Sequence, residues 1–181
     1  MHISLLNKFY FIDNFKKEEL KKLTKNTSII FRNYKTKYNE KMINDIKKFC
    51  LSRKLKFYLS NNIDLAIKLN LDGIYIPAFN KTADGYKAKS RNMKVLGSAH
   101  NISELLSKKK QLVDLIFLSP VFKVSKSQTN LGIVKFNILT NLFNERTVIL
   151  GGINKTNLNF FRSINCNSFA SISYINRLIK K

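Results

Sequence analysis

Ser28-Ile29-Ile30-Phe31, then Asn39 to Leu55, then Lys56-Phe57-Tyr58-Leu59 follow one another along the chain, and their reading decides the fold. The first and third runs are short, largely apolar and rich in β-branched and aromatic residues, as strands buried on both faces are. Between them Met42, Ile43, Ile46, Phe49 and Cys50 recur at intervals that place them on one face of a helix. Strand, helix and strand in that order imply two parallel strands joined by a right-handed crossover.

The same alternation continues outward in both directions. Towards the start lie Phe9-Tyr10-Phe11-Ile12 and a helical stretch from Phe15 to Leu23. Towards the end, strand-like Gly73 to Ile76, Lys94 to Leu96, Leu115 to Leu118, Thr147 to Leu150 and Ser168 to Ala170 appear in turn. Helical patterns separate or follow them: Ile63 to Leu69, Lys87 to Arg91, Ile102 to Lys110, Phe136 to Asn144, Thr156 to Ser163 and Ser173 to Lys180. Eight such units predict an α/β chain closed into a compact (βα)8 TIM barrel, a single domain over residues 1–181. An open doubly wound sheet is the alternative, but no G-x-G-x-x-G or Walker loop favours it. At 181 residues the chain is well short of the roughly 250 typical of such barrels, so its helices and loops must be minimal.

Charge narrows the ligand class. Lys plus Arg number 33 against 11 Asp plus Glu, a net +22 that attracts anions from nucleic acid to small phosphorylated metabolites. The lysines are spread through the chain in short runs such as Lys16-Lys17, Lys21-Lys22 and Lys108-Lys109-Lys110. A nucleic-acid binder more often gathers its charge on one stripe, so nucleic acid is not the expected partner. Cys50 and Cys166 match no metal-ligand spacing and read as buried thiols. Lys8 interrupts the first apolar stretch and no apolar run approaches the roughly 18 residues of a membrane span, so a cytoplasmic chain with no membrane partner is expected.

In such a barrel the chemistry lies at the C-terminal ends of the strands. Those positions are Arg32 to Tyr34, Ser60 to Asn62, Pro77 to Asn80, Ser98 to His100, Ser119 to Leu131, Gly151-Gly152 and Ser171 to Ser173. They hold no carboxylate, so neither an acid–base carboxylate pair nor a hard-metal cage is expected. Gly151-Gly152 and the helix start at Ser171 to Ser173 suit a phosphate, or more plainly a tight turn and a serine cap. His100 is the natural proton carrier, or else a structural cap; Ser98 is a hydrogen-bond donor to substrate or to the strand end. Arg32 suits a bidentate grip on phosphate. The loop carrying Phe122, Lys123, Ser125, Lys126 and Ser127 is long enough to close over an anion.

Taken in order, Ile30 to Tyr34, Asp64-Leu65-Ala66 with Leu71 to Ile76, Ser98-Ala99-His100, Leu118 to Phe122, Leu131-Gly132 and Leu150 to Ile153 form a series. Over residues 9 to 175 that series resembles the thiamine-phosphate synthase and TenI family. The synthase branch implies a transferase joining hydroxymethylpyrimidine diphosphate to thiazole phosphate with release of diphosphate. Its small phosphorylated substrates would be the partners, and a homo-oligomer is compatible with it. The resemblance implies that Arg32 holds diphosphate, that Ser98 sits by the pyrimidine with His100 nearby, and that Lys126 supplies charge in the loop. Tyr34, Ser60, Asn61, Asn80, Ser125, Ser127 and Gly132 would complete substrate binding; Gly151, Gly152, Ser171 and Ser173 would take the thiazole phosphate. The synthase branch implies Mg2+ as cofactor; the family's magnesium ligands are acids, whereas Asn61 and Asn80 stand at those positions, whose oxygens can coordinate the ion but bring no charge to it. The TenI branch implies instead a metal-free thiazole phosphate tautomerase using His100. A non-catalytic barrel binding phosphate ligands or nucleic acid is the reading from another class.

Overall fold

Alternation within each strand sorts its side chains into two cores. In β1 (Asn7–Ile12) Phe9 and Phe11 join the cluster inside the barrel, while Tyr10 and Ile12 join the layer beneath the helices. The pattern repeats in β2 (Thr27–Phe31), β3 (Phe57–Ser60), β4 (Gly73–Ile76), β5 (Lys94–Ala99), β6 (Leu115–Leu118), β7 (Arg146–Leu150) and β8 (Ser168–Ala170). Strands apolar on both faces belong in a parallel sheet covered on both sides. Here all eight pair in parallel, in sequence order, and β8 returns to β1 through Asn7 opposite Ser168 to close the barrel. The computed structural model describes residues 6–125, 127, 129–143, 146–164 and 166–180.

The inner core is aromatic. Phe117 lies edge-on to Phe9 at 5.0 Å and to Tyr75 at 5.5 Å between ring centroids, with Phe11, Ile30, Tyr58, Leu96, Val148 and Ala170 around them. Edge-to-face rings are favoured by about 0.5–1.5 kcal/mol per pair beyond area burial. Large rings fill the interior that branched aliphatic residues usually fill.

The outer ring shows how so short a chain closes eight units. Only α2 (Glu40–Arg53), α5 (Ile102–Lys110) and α6 (Gly132–Asn141) exceed seven residues; α1 (Lys17–Leu20), α3 (Ile63–Lys68), α4 (Gly85–Lys89) and α7 (Ser173–Ile179) are shorter. Asparagines cap several of them: Asn39 accepts the Met42 N–H, Asn62 that of Leu65 and Asn101 that of Glu104, each near 3 Å.

Three sequence expectations need correction. The helical stretch from Phe15 to Leu23 is helical only over α1, whose N-cap residue Lys16 makes no side-chain cap bond. The Thr156 to Ser163 segment is a 3-10 helix over Leu158–Ser163. Helix α6 begins at Gly132 rather than Phe136, because its near-continuous apolar sequence has little amphipathic period to mark its start. Both cysteines are free and buried, and burial pushes the Cys50 thiol up to about 12. Among the described residues no helix is long and apolar enough to cross a membrane.

Candidate active site

Ser60 and Ser98 are the last inward-facing residues of their strands, not loop residues. Ser60 ends β3 fully buried, and its Oγ lies 2.9 Å from the Tyr34 hydroxyl. Ser98 lies within β5, between Gly97 and Ala99. Above them opens a cavity of about 300 Å³ lined by Arg32, Tyr34, Tyr75, Pro77, Ala78, Phe79, Ser98, His100, Glu104, Ser119 and Leu150. It lies at the strand ends where such barrels carry their chemistry, and its volume is at the lower bound for small-ligand pockets. A larger cavity of about 1510 Å³ opens at the opposite mouth, lined by strand starts such as Asn7, Lys94 and Arg146. That end of a barrel contributes stability rather than catalysis.

Arg32 follows β2, and its guanidinium lies over the Phe11 ring, 4.5 Å from the centroid. No carboxylate pairs with it among the described residues. A guanidinium stacked on a ring keeps its edge donors available to an anion. Beside it Tyr75 is almost wholly buried; burial pushes its hydroxyl up to about 12, against the downward pull of Ser98 and Arg32. Burial likewise raises Tyr34, with Ser60 and Arg32 opposing. Both phenols stay neutral donors over the working range of a cell. Tyr34 and Phe79 stand edge to face at 5.3 Å and give the cavity an aromatic wall.

His100 is held from two sides. Its Nδ1 lies 2.7 Å from the Ser119 carbonyl oxygen and 3.2 Å from the Ser119 hydroxyl. A carbonyl can only accept, so Nδ1 carries a proton, and in the neutral ring the lone pair is on Nε2. The His100 backbone N–H donates to Glu104 Oε2 at 2.7 Å. This corrects the expectation of a rim without carboxylates: Glu104, in the first turn of α5, reaches back to the cavity, and Asp13 follows β1 in a smaller adjoining cavity that Arg32 also lines. Glu104 is not among the loop positions because it belongs to a helix, although Asn101 followed three residues later by Glu104 is a capping-box spacing that marks it in the sequence.

Asn61 and Asn80 come together, although neither lines the cavity. Asn80 Nδ2 donates to Asn61 Oδ1 at 2.6 Å, joining the loops after β3 and β4. The remaining expected residues that the structure describes do not line the cavity. Ser127 Oγ donates to the Thr129 carbonyl, and neither Ser127 nor exposed Ser125 lines the cavity; Gly132 opens α6 with φ +68°. Lys126 lies outside the described residues. Gly151 and Gly152 have φ of +92° and +73°, and a Cβ on Gly152 would lie 2.6 Å from the Phe122 carbonyl. The turn therefore needs glycine to pack against the loop after β6. The backbone N–H groups of Gly152 and Ile153 donate to no protein acceptor among the described residues. Ser171 follows β8, and its Oγ accepts the Tyr174 N–H at 3.1 Å at the start of α7; Ser173 is exposed.

Similarity to known proteins agrees with this fold. The chain is 24% identical over 137 residues to the thiamine-phosphate synthase of Prochlorococcus marinus, a match covering 72% of this chain and 39% of that protein. It is 25% identical over 147 residues to the thiamine-phosphate synthase of Persephonella marina, covering 78% of this chain and 70% of that one. The chain thus spans about two-fifths of the first relative's length. The thiamine phosphate pyrophosphorylase of Pyrococcus furiosus superposes with a TM-score of 0.77 at 15% identity, covering 98% of this chain and 94% of that structure, which establishes likeness of fold. The family model described as thiamine monophosphate synthase matches residues 15–175, nearly the whole sequence, and the chain belongs to that family.

Proposed function

We propose that this chain joins hydroxymethylpyrimidine diphosphate to thiazole phosphate and releases diphosphate. The observation that carries the reading is Arg32, a cation stacked on Phe11, without a carboxylate partner among the described residues, at the cavity beside Ser98 and Tyr75. In the reaction the bond between the pyrimidine methylene and the diphosphate oxygen breaks, and its electron pair leaves on oxygen. The thiazole nitrogen lone pair then forms the new carbon–nitrogen bond. No proton need move. The protein must stabilise a departing anion more than the intact ester, which a guanidinium and neutral phenol donors do. The aromatic wall of Tyr34, Tyr75 and Phe79 suits a flat heterocycle that becomes cationic. The unspent N–H groups of Gly152 and Ile153, at the end of β7, support a seat for the second phosphate.

The test is diphosphate release from the two substrates. Turnover is expected with the wild-type chain, with a loss of at least about a hundredfold in Arg32→Ala. Absence of product at micromolar enzyme would overturn the reading.

One observation favours a second activity. His100 lines the cavity with a proton on Nδ1, and its neutral ring has the lone pair on Nε2 that a tautomerase acting on thiazole phosphate carboxylate requires. His100→Ala separates the two: isomerisation would vanish, whereas diphosphate release would fall less than about tenfold, a difference of less than about 1.4 kcal/mol.

A further inference from the structure

At the rim beside the cavity, two asparagine side chains are bonded where a divalent cation site would need charge. Asn80 Oδ1 accepts the backbone N–H groups of Thr82 at 3.0 Å and Ala83 at 2.8 Å. Those donors fix which way the amide faces, because backbone N–H groups can only donate. Together with the Thr82 hydroxyl at 3.4 Å they occupy Oδ1, so Asn80 turns its NH2, not its oxygen, towards Asn61. Asn61 Oδ1 has then already accepted one bond. Mg2+ prefers charged oxygens in a near-ideal octahedron. An amide NH2 facing a neutral oxygen does not fit that ion, and among the described residues no group of three His, Cys, Asp or Glu gathers elsewhere to hold one.

The pair is anchored from below by a cation. Lys108, on α5, is fully buried, and its ammonium donates to the Asn80 carbonyl at 2.6 Å and to Gln111 Oε1 at 2.8 Å. Gln111 Nε2 donates to the same Asn80 carbonyl and to that of Ala83. The lysine stem runs over Gly97, where a Cβ would lie 3.1 Å from Lys108 Cδ. No carboxylate forms an ion pair with Lys108 among the described residues, and Glu104 acts on its charge only from beyond ion-pair distance. Burying an ammonium without an ionic partner costs several kcal/mol. A surface lysine at this position would avoid that cost, but would leave the β4 loop without its anchor.

We infer that the Asn61–Asn80 pair, held in place by Lys108, replaces a divalent cation in joining the β3 and β4 loops, so that this chain binds diphosphate without magnesium. Two carboxylates at these positions would repel unless a cation lay between them. Two amides satisfy each other directly. Lys108 is a positioning residue that also leaves a fixed positive charge behind the rim. The part of the inference that concerns diphosphate rests on the transferase reading; the part that concerns the metal does not.

The experiment has two arms on the full chain. In the first, inorganic diphosphate is titrated calorimetrically in EDTA and in MgCl2. Affinity is expected to change less than about threefold, under 1 kcal/mol. A tenfold gain with magnesium would overturn the inference. In the second, free Mn2+ is followed by electron paramagnetic resonance and the melting temperature is recorded with and without Mg2+. The wild type is expected to leave Mn2+ free and to melt unchanged, whereas Asn61→Asp/Asn80→Asp gains Mn2+ binding and melts higher with Mg2+. Stoichiometric Mn2+ uptake by the wild type would overturn the inference, and this wild-type result stands even if the double variant fails to fold. If diphosphate binds in neither buffer, the transferase reading fails while the Mn2+ arm still decides the metal question. Lys108→Met keeps the stem and removes the charge. It should weaken diphosphate at least about threefold without lowering the melting temperature, a combination that loss of packing would not produce. Unchanged affinity would overturn the role given to the lysine.

Discussion

His100 Nδ1 meets the backbone carbonyl of Ser119 at 2.7 Å, so the end of β5 and the loop after β6 jointly fix one tautomer of the ring. Because the partner is main chain, Ser119→Ala should leave the ring in place. Nitrogen NMR of the neutral histidine should show a protonated Nδ1 and a bare Nε2 in both wild type and Ser119→Ala. The opposite tautomer would remove His100 as a proton acceptor at the cavity.

Arg32 combines a planar fork with a face stacked on Phe11. Lysine offers the charge without either property. Arg32→Lys should therefore weaken inorganic diphosphate by about tenfold, roughly 1.4 kcal/mol, and Arg32→Met by more. Phe11→Leu, which removes the ring beneath the guanidinium, should cost about 0.5–1 kcal/mol of the same affinity. Calorimetric titration measures all three. Equal affinity in Arg32→Lys and wild type would mean that only net charge matters there.

Gly152 and Gly132 share a left-handed backbone but not their surroundings. A Cβ on Gly152 would meet the Phe122 backbone at 2.6 Å, whereas one on Gly132 has nothing within 4 Å. Gly132→Ala should cost about 1 kcal/mol, the conformational penalty alone. Gly152→Ala should cost about 3 kcal/mol or more, since the loop after β6 must also move. Urea denaturation compares them, and equal losses would show that the turn yields freely.

Burial lowers the Lys108 ammonium to about 8 from its ordinary 10.5, partly opposed by Glu104. The folded chain therefore loses this proton before the unfolded chain does. Between about pH 8 and 10.5 the unfolded state holds more protons at this site, so its contribution to stability rises with pH. Below that window the full penalty applies. Buried thiols and phenols titrate in overlapping ranges with the opposite sign, Cys50 and Tyr75 among them, because burial raises their values to about 12. The quantity to follow is thus the difference between Lys108→Met and wild type. The variant should be the more stable at pH 7, by up to about 3 kcal/mol, and that advantage should shrink towards pH 10. A difference that does not vary with pH would show that the lysine is solvated.

Strand and helix order were legible in the amino-acid sequence because they depend on local periodicity. Phe9 and Phe11 alternate with Tyr10 and Ile12 whatever the rest of the chain does, and the apolar positions of α2 recur at helical spacing on their own. Arg32, Ser98 and His100 could be placed at the C-terminal rim of the barrel for the same reason, since Arg32 and His100 follow strands and Ser98 is the last inward-facing residue of one. What they meet there depends on closure and register, which bring together residues far apart in the chain. Only the folded barrel lays Phe11 under Arg32, returns Glu104 to the cavity mouth, joins Asn61 to Asn80 and slides a lysine stem past Gly97. It likewise leaves Ser125 and Ser127 away from the cavity and packs Gly152 against a neighbouring loop. Local propensity is written in neighbouring residues, whereas a binding site is a set of distances between strands, and those exist only once the sheet has closed on itself.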